Sequence, residues 1–332
     1  MPFRAITGHR PVLELLARAS AQGTLPPSLL FSGPEGVGKR TAAIALAQAL
    51  NCERPPAFGP GRDACGECAA CTRIARGVHA DVLVIEPGDS GSIKTEQVRD
   101  AIDRSAYRPF EGKRRVVVID GADQLVLNAQ DAILKTLEEP PSASVFVLVT
   151  DRPDVLLPTV RSRCQRLRFG PLTPSEVADV LMRDHGMSEP AARAAAAASD
   201  GSIGRAIDGS AEDAMEARND AARLLQGAAA SADPVRRLAG AKMLVGNAGD
   251  RDELSRRLLA LSSLLRDLGL LNARADDRTL ANADLKPQLE VLLRSYDGDR
   301  TLQAFAVVDR ALGALDRNAS PKIVADWLAL NL

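Results

Sequence analysis

The sequence predicts an α/β layer built on a parallel sheet, followed by an all-helical second half. Three observations carry that expectation. Short apolar runs recur through the first half, at Leu29–Phe31, Val82–Ile85, Val116–Ile119 and Val145–Val149, with the alternating Arg166–Phe169 after them. Continuous runs rich in Val and Ile suit central strands covered on both faces. A glycine-rich stretch joins the first run to a helical segment, Ala42 to Leu50. After Phe169 no further run of that kind occurs, and the spacing turns helical, as with Leu254, Leu258, Leu261 and Leu265 on one face.

At 332 residues the chain is about twice the usual domain length, so two or three domains are expected. Its 42 basic and 43 acidic side chains leave a net charge of -1, which argues against holding nucleic acid by bulk electrostatics. Aromatic content of 3% argues against a stacking platform for single strands. No apolar run approaches the length of a membrane span and Met1 to Gly8 has no signal core, so no membrane partner and a cytoplasmic location are expected. Five cysteines in such a setting point to a metal or free thiols.

In chain order, the first informative element is Gly33-Pro34-Glu35-Gly36-Val37-Gly38-Lys39-Arg40-Thr41. It follows a strand and opens a helix, the context a phosphate loop requires. Gly33, Gly36 and Gly38 let backbone N–H groups turn toward phosphate oxygens, and Lys39 reaches the terminal phosphates. The next position usually carries a Ser or Thr hydroxyl for magnesium. Here it is Arg40, which can meet a phosphate or face solvent. Thr41 lies one step, about 100°, around the helix and replaces that hydroxyl poorly.

Cys52, Cys65, Cys68 and Cys71 follow as C-x12-C-x2-C-x2-C. Four thiolates so clustered match a closed tetrahedral zinc site. The intervening Pro55-Pro56, Gly59-Pro60-Gly61 and Gly66 supply turns, so the metal is expected to fold residues 52–71. Cys164 stands apart as a buried small residue. Asp120 ends the strand run from Arg115, where it reads equally as a magnesium ligand and as a strand-end turn former. Its neighbour is Gly121, which can neither accept a proton nor hold a water. Gln130 to Leu137 reads as a short helix stopped by Glu138-Glu139-Pro140-Pro141. Arg163 follows the Pro158 turn, and beside such a loop a role at a neighbour's nucleotide becomes attractive. An arginine supplied in trans contributes roughly 10³–10⁵ in phosphoryl-transfer rate. Gly170-Pro171 marks a break, and Thr173-Pro174-Ser175-Glu176 is a helix start with a capping box. A second helix runs from Ser188 to Ser199. Loops are expected at Asp233-Pro234, Asn247 to Asp250, Asn272 to Asp277, Asp297 to Asp299 and Asn318 to Pro321.

Taken together these residues resemble the delta-prime subunits of bacterial DNA polymerase III clamp loaders, within the AAA+ clamp-loader family. The loop, the cysteine insertion, His79-Ala80-Asp81, Val116 to Asp120, Leu134 to Pro141, Thr159 to Cys164 and Gly201 to Gly204 carry the resemblance, over about residues 1–212. It implies an AAA+ RecA-like domain over 1–170 with a zinc module at 52–71, a helical lid over 171–212 and a helical collar over 213–332. Thr150 matches the polar sensor position at the end of the fourth strand, and the lid arginine of active relatives falls on Gly204. The delta-prime role it implies is to hold a hetero-pentamer with gamma/tau and delta subunits and to lend Arg163 to a neighbouring ATPase. That assembly loads the sliding clamp onto primed DNA.

Arg40 and Gly121 argue against hydrolysis at this chain's own loop, and the sequence leaves open whether ATP or ADP binds there. The alternative is an active gamma/tau-like ATPase, which needs an acid where Gly121 stands. A third reading, a zinc-stabilised nucleic-acid binding module, has the charge and aromatic content against it.

Overall fold

A computed structural model describes residues 1–88, 90–230, 233–245, 251–276, 279–317 and 319–332. The expected loop at Asn247 to Asp250, together with Asp277 and Asn318 of two others, lies outside them. The chain divides into two compact units, Met1–Pro171 and Leu172–Leu332.

In the first unit every expected run is a strand: β1 Ser28–Ser32, β2 Val82–Ile85, β3 Arg115–Asp120, β4 Ser144–Thr150 and β5 Gln165–Arg168. They pair in parallel in the order β2-β3-β4-β1-β5. Successive side chains point to opposite faces, and helices cover both. On one face, α1 (Arg10–Gln22) and α2 (Lys39–Asn51) pack on Leu29, Phe31, Val116, Val118, Val145 and Val147. On the other, α4 (Thr95–Ser105) and α5 (Leu127–Glu138) pack on Leu30, Val117, Ile119, Phe146 and Leu148. Two-sided cover is why these strands read as unbroken apolar runs. Edge strand β5 buries only Leu167, which explains its alternation.

The register places Ile85 opposite Ile119, Ile119 opposite Leu148, and Leu148 opposite Leu30. The carboxyl ends of β1 to β4 therefore share one edge. The chain leaves β1, crosses to β2 at the far side and works back, so the strand order reverses beside β1. Such a reversal opens a crevice at the carboxyl edge.

Two further helices complete this unit, α3 (Ala69–Ala75) and the short α6 (Pro158–Arg161). The expected helix at Gln130 begins earlier, at Leu127, and the expected Pro158 turn is α6. The cysteine insertion corrects the expectation that metal alone folds it. It contains a hairpin, Ala57–Phe58 with Gly61–Arg62. Phe58 is buried in the main core, and a side chain at Gly61 would collide with the backbone of Ala17.

The second unit is helical throughout its described residues. Helix α7 (Pro174–His185) opens with the expected box: the Glu176 N–H donates to Thr173 Oγ1, and the Thr173 N–H donates to the Glu176 carboxylate. With α8 (Glu189–Ala198) and α9 (Ile203–Asp208) it buries Val177, Leu181, Ala192, Ala196 and Ala206. The remaining helices are α10 (Ala211–Ala230), α11 (Pro234–Val245), α12 (Arg251–Asn272), α13 (Lys286–Leu292), α14 (Gly298–Asp316) and α15 (Pro321–Asn331). They enclose a separate core in which Leu254, Leu258, Leu261 and Leu265 all lie, as their spacing requires. Among the described residues no helix is long and apolar enough to cross a membrane. The architecture is the expected parallel α/β layer followed by a helical second half.

One buried ion pair ties β2 to β3. The Asp81 carboxylate, fully buried, accepts the N–H groups of Phe110, Glu111 and Gly112 at 2.7–2.8 Å and Arg115 Nη2 at 2.7 Å. Burial alone would raise its pKa, but Arg115 and the three N–H groups hold it at about 2. The folded value lies below the unfolded one of about 3.9, so this stability is present above pH ~4 and lost as pH falls toward ~2. Asp81→Asn leaves Arg115 buried without its counter-charge and should cost about 3–5 kcal/mol in urea unfolding while flattening that acid slope. A loss under about 1 kcal/mol with the slope intact would contradict this assignment.

Candidate functional site

The phosphate loop springs from β1 at the carboxyl edge. Gly33 is pressed against the residue that follows β5: a Cβ there would lie 1.9 Å from the Phe169 carbonyl oxygen. The backbone is left-handed at Gly36 and at Gly38, which caps α2. His9 braces the loop from outside, with Nε2 2.8 Å from the Val37 carbonyl and its ring edge-on to Phe169. Lys39 is buried, and its ammonium donates to the carbonyls of Gly33, at 2.8 Å, and Pro34. Burial lowers its pKa, while Asp151, Asp120, Glu35 and Asp123 pull it upward.

The magnesium-hydroxyl position is occupied by a charge. Arg40 Nη1 lies 3.3 Å from Asp120 Oδ2, and Nη2 pairs with Glu86, just past β2. Thr41 is exposed, and the contact to Asp120 comes from Arg40 instead. Burial holds the Asp120 carboxyl above its usual range; Arg40 opposes this and Glu86 adds to it. Gly121 adopts left-handed backbone at φ 73°. A side chain there would be strained.

Thr150 ends β4 with its hydroxyl committed. Oγ1 donates to Asp123 Oδ1 at 2.9 Å and accepts the Arg152 N–H. Asp123 also accepts Arg152 Nε and Nη2, at 3.1 and 2.7 Å. Burial would raise the pKa of Asp123, but Arg152 and Thr150 bring it below the usual range. The sequence reading missed Glu86, Asp123 and Arg152. Only the D-x-x-D spacing of Asp120 and Asp123 hinted at the second acid.

The four cysteines converge. The Sγ atoms of Cys52, Cys65, Cys68 and Cys71 all lie within 4.8 Å of one another. Tetrahedral thiolates about 2.3 Å from one ion would be separated by somewhat less, so the set fits a metal such as zinc with little movement. The Cys65 N–H donates to Cys52 Sγ and the Cys68 N–H to Cys65 Sγ, at 3.2 and 3.3 Å. Burial pushes the Cys65 thiol up, yet the N–H groups of Glu67 and Cys68 bring it to about 6, whereas burial holds the Cys52 and Cys71 thiols above their usual value. An all-sulfur donor set suits a soft metal. Asp63, fully buried beside it, accepts the N–H groups of Phe3, Arg4 and Ala64 and so ties the insertion to the N-terminus.

Arg163 follows α6, away from the loop. Its Nη2 and Nε donate to Glu138 Oε2 at 2.9 and 3.1 Å, and Nη1 donates to the Thr159 carbonyl. The expected sites therefore form three groups: Gly33 to Lys39 with Asp120 and Thr150 at the carboxyl edge, the cysteine cluster, and Arg163.

A family described as "DNA polymerase III, delta subunit" matches residues 8–173. Over 136 residues the chain is 43% identical to DNA polymerase III subunit delta' of Pseudomonas aeruginosa, covering 41% of this chain and 40% of that protein. Over 175 residues it is 36% identical to subunit tau of Bacillus subtilis, covering 53% of this chain and 30% of that one. The chain thus spans less than half the length of either relative. A solved gamma-subunit-related protein of Thermotoga maritima superposes over 96% of this chain and 98% of its own, at 20% identity and a TM-score of 0.41.

The loop's seat against Phe169 is testable by stability. Gly33→Ala drives a methyl into the Phe169 carbonyl, and the melting temperature should fall by an amount equivalent to about 3 kcal/mol. A shift worth under about 0.5 kcal/mol would show that the loop is not packed this way.

Proposed function

Because the chain belongs to the DNA polymerase III delta-subunit family of bacterial clamp loaders, we propose that it serves there as a delta-prime-like, non-hydrolytic assembly subunit. Residues 1–170 act as the AAA+ domain, 171–212 as a lid and 213–332 as the collar that joins gamma/tau and delta subunits in a hetero-pentamer. Arg163 enters a neighbour's nucleotide site and stabilises charge during phosphoryl transfer, so that the sliding clamp is loaded onto primed DNA in the cytoplasm.

The observation that carries this reading is the pairing of Arg40 with Asp120, beside Gly121. The hydroxyl that would hold magnesium and the acid that would orient water are missing together, and the remaining carboxylate has a resident partner. Arg163 suits delivery in trans because its contact with Glu138 is an open ion pair, with side chains 32% and 60% exposed. Exposed pairs contribute about 0–1 kcal/mol, so releasing the arginine costs little. The identity to subunit tau favours the alternative, an active gamma/tau-like ATPase, since the loop glycines and Lys39 persist. Arg40 and Gly121 weigh against it.

Reconstitution tests the proposal. In a loader assembled with gamma/tau and delta, Arg163→Ala in this chain should lower ATPase at the dependent site by roughly 10³ or more without loosening assembly. Unchanged ATPase in an intact complex would reject the trans role.

The cysteine cluster is proposed to hold zinc. Fresh protein should carry about one zinc per chain, and Cys68→Ser should lose it and speed hydrogen exchange across 52–71. The main sheet should keep its protection. Metal-free protein with a protected insertion would contradict this.

A further inference from the structure

Arg40 stands on the first turn of α2, where a phosphate loop offers its hydroxyl to a divalent cation. Asp120 closes β3, and Glu86 directly follows β2. The Arg40 guanidinium bridges both carboxylates, so one side chain from the loop helix joins the ends of two strands. Magnesium demands near-octahedral oxygens at about 2.0–2.1 Å. A guanidinium has no acceptor atom, keeps its charge, and repels a cation drawn to the same carboxylate. The divalent ion does not fit this pocket.

An anion does. Five N–H donors exceed what two carboxylate contacts consume. Lys39 is the adjacent residue, and the first N–H groups of α2 add positive potential at the glycine-lined turn. We propose that the Arg40 guanidinium takes the divalent cation's place, so that this loop binds a nucleoside diphosphate or triphosphate without a metal ion. This depends on the phosphate loop alone, not on Arg163 or on the subunit's place in an assembly. Its readout is binding, so hydrolysis by the free chain would defeat the non-hydrolytic reading and leave this question to its own measurement.

Calorimetric titration of ADP into the full chain, once with excess EDTA and once with millimolar magnesium, tests it. The two dissociation constants should agree within about twofold, and Lys39→Ala should abolish binding in both buffers. Arg40→Ser should weaken binding in EDTA by roughly tenfold and make magnesium tighten it by a comparable factor. Tightening of the unaltered chain by roughly tenfold on adding magnesium overturns the proposal, as does an absence of ADP binding in both buffers. A folded Arg40→Ser chain as indifferent to magnesium as its parent also overturns it. Should that variant fail to fold, the two titrations of the unaltered chain decide the matter.

Discussion

Asp120 ends a central strand at the carboxyl edge, and its environment makes its charge expensive. A half-buried carboxylate needs a counter-charge or must take up a proton. In a hydrolytic phosphate loop the counter-charge arrives with the nucleotide as a metal ion. Here it is attached to the chain, as Arg40, and shared with Glu86. The turn after Asp120 has closed into a left-handed glycine, and the next acid, Asp123, is committed to Thr150 and Arg152. Asp120, Glu86 and Asp123, three carboxylates at this edge, are each paired with an arginine.

The cysteine insertion depends on a different balance. Its sulfurs form a metal-sized cluster, and Phe58 and Gly61 also fasten the intervening hairpin to the main core. Asp63 adds a third attachment by gathering N–H groups from the N-terminal segment. A metal on these sulfurs would add a local staple to a segment that Phe58, Gly61 and Asp63 also hold.

Much of this was legible in the residues alone. The central strands were plain because burial on both faces removes polar residues from them, as at Val116 to Ile119. The loop and the cysteines were legible because their chemistry is set by short spacings. Helix α4 was expected only as an unplaced helical segment between strands, because Val98, Ala101 and Ser105 are the only residues buried along it. The contacts of Arg40 with Glu86 and Asp120, and of Asp123 with Thr150, were hidden for another reason. They join residues 27 to 80 positions apart, brought together by the register of parallel strands. Local pattern has no access to that register. Nor could it show that Arg163 rests on Glu138, since α5 and α6 meet only after β4 has been laid down between them.

The central claim is that this pocket keeps the cradle for phosphate but performs no chemistry of its own. A single-turnover assay, with the isolated chain in large excess over radiolabelled ATP and magnesium, addresses it most directly. Phosphate release indistinguishable from buffer is the predicted result. Release above that background, abolished by Lys39→Ala, would contradict it.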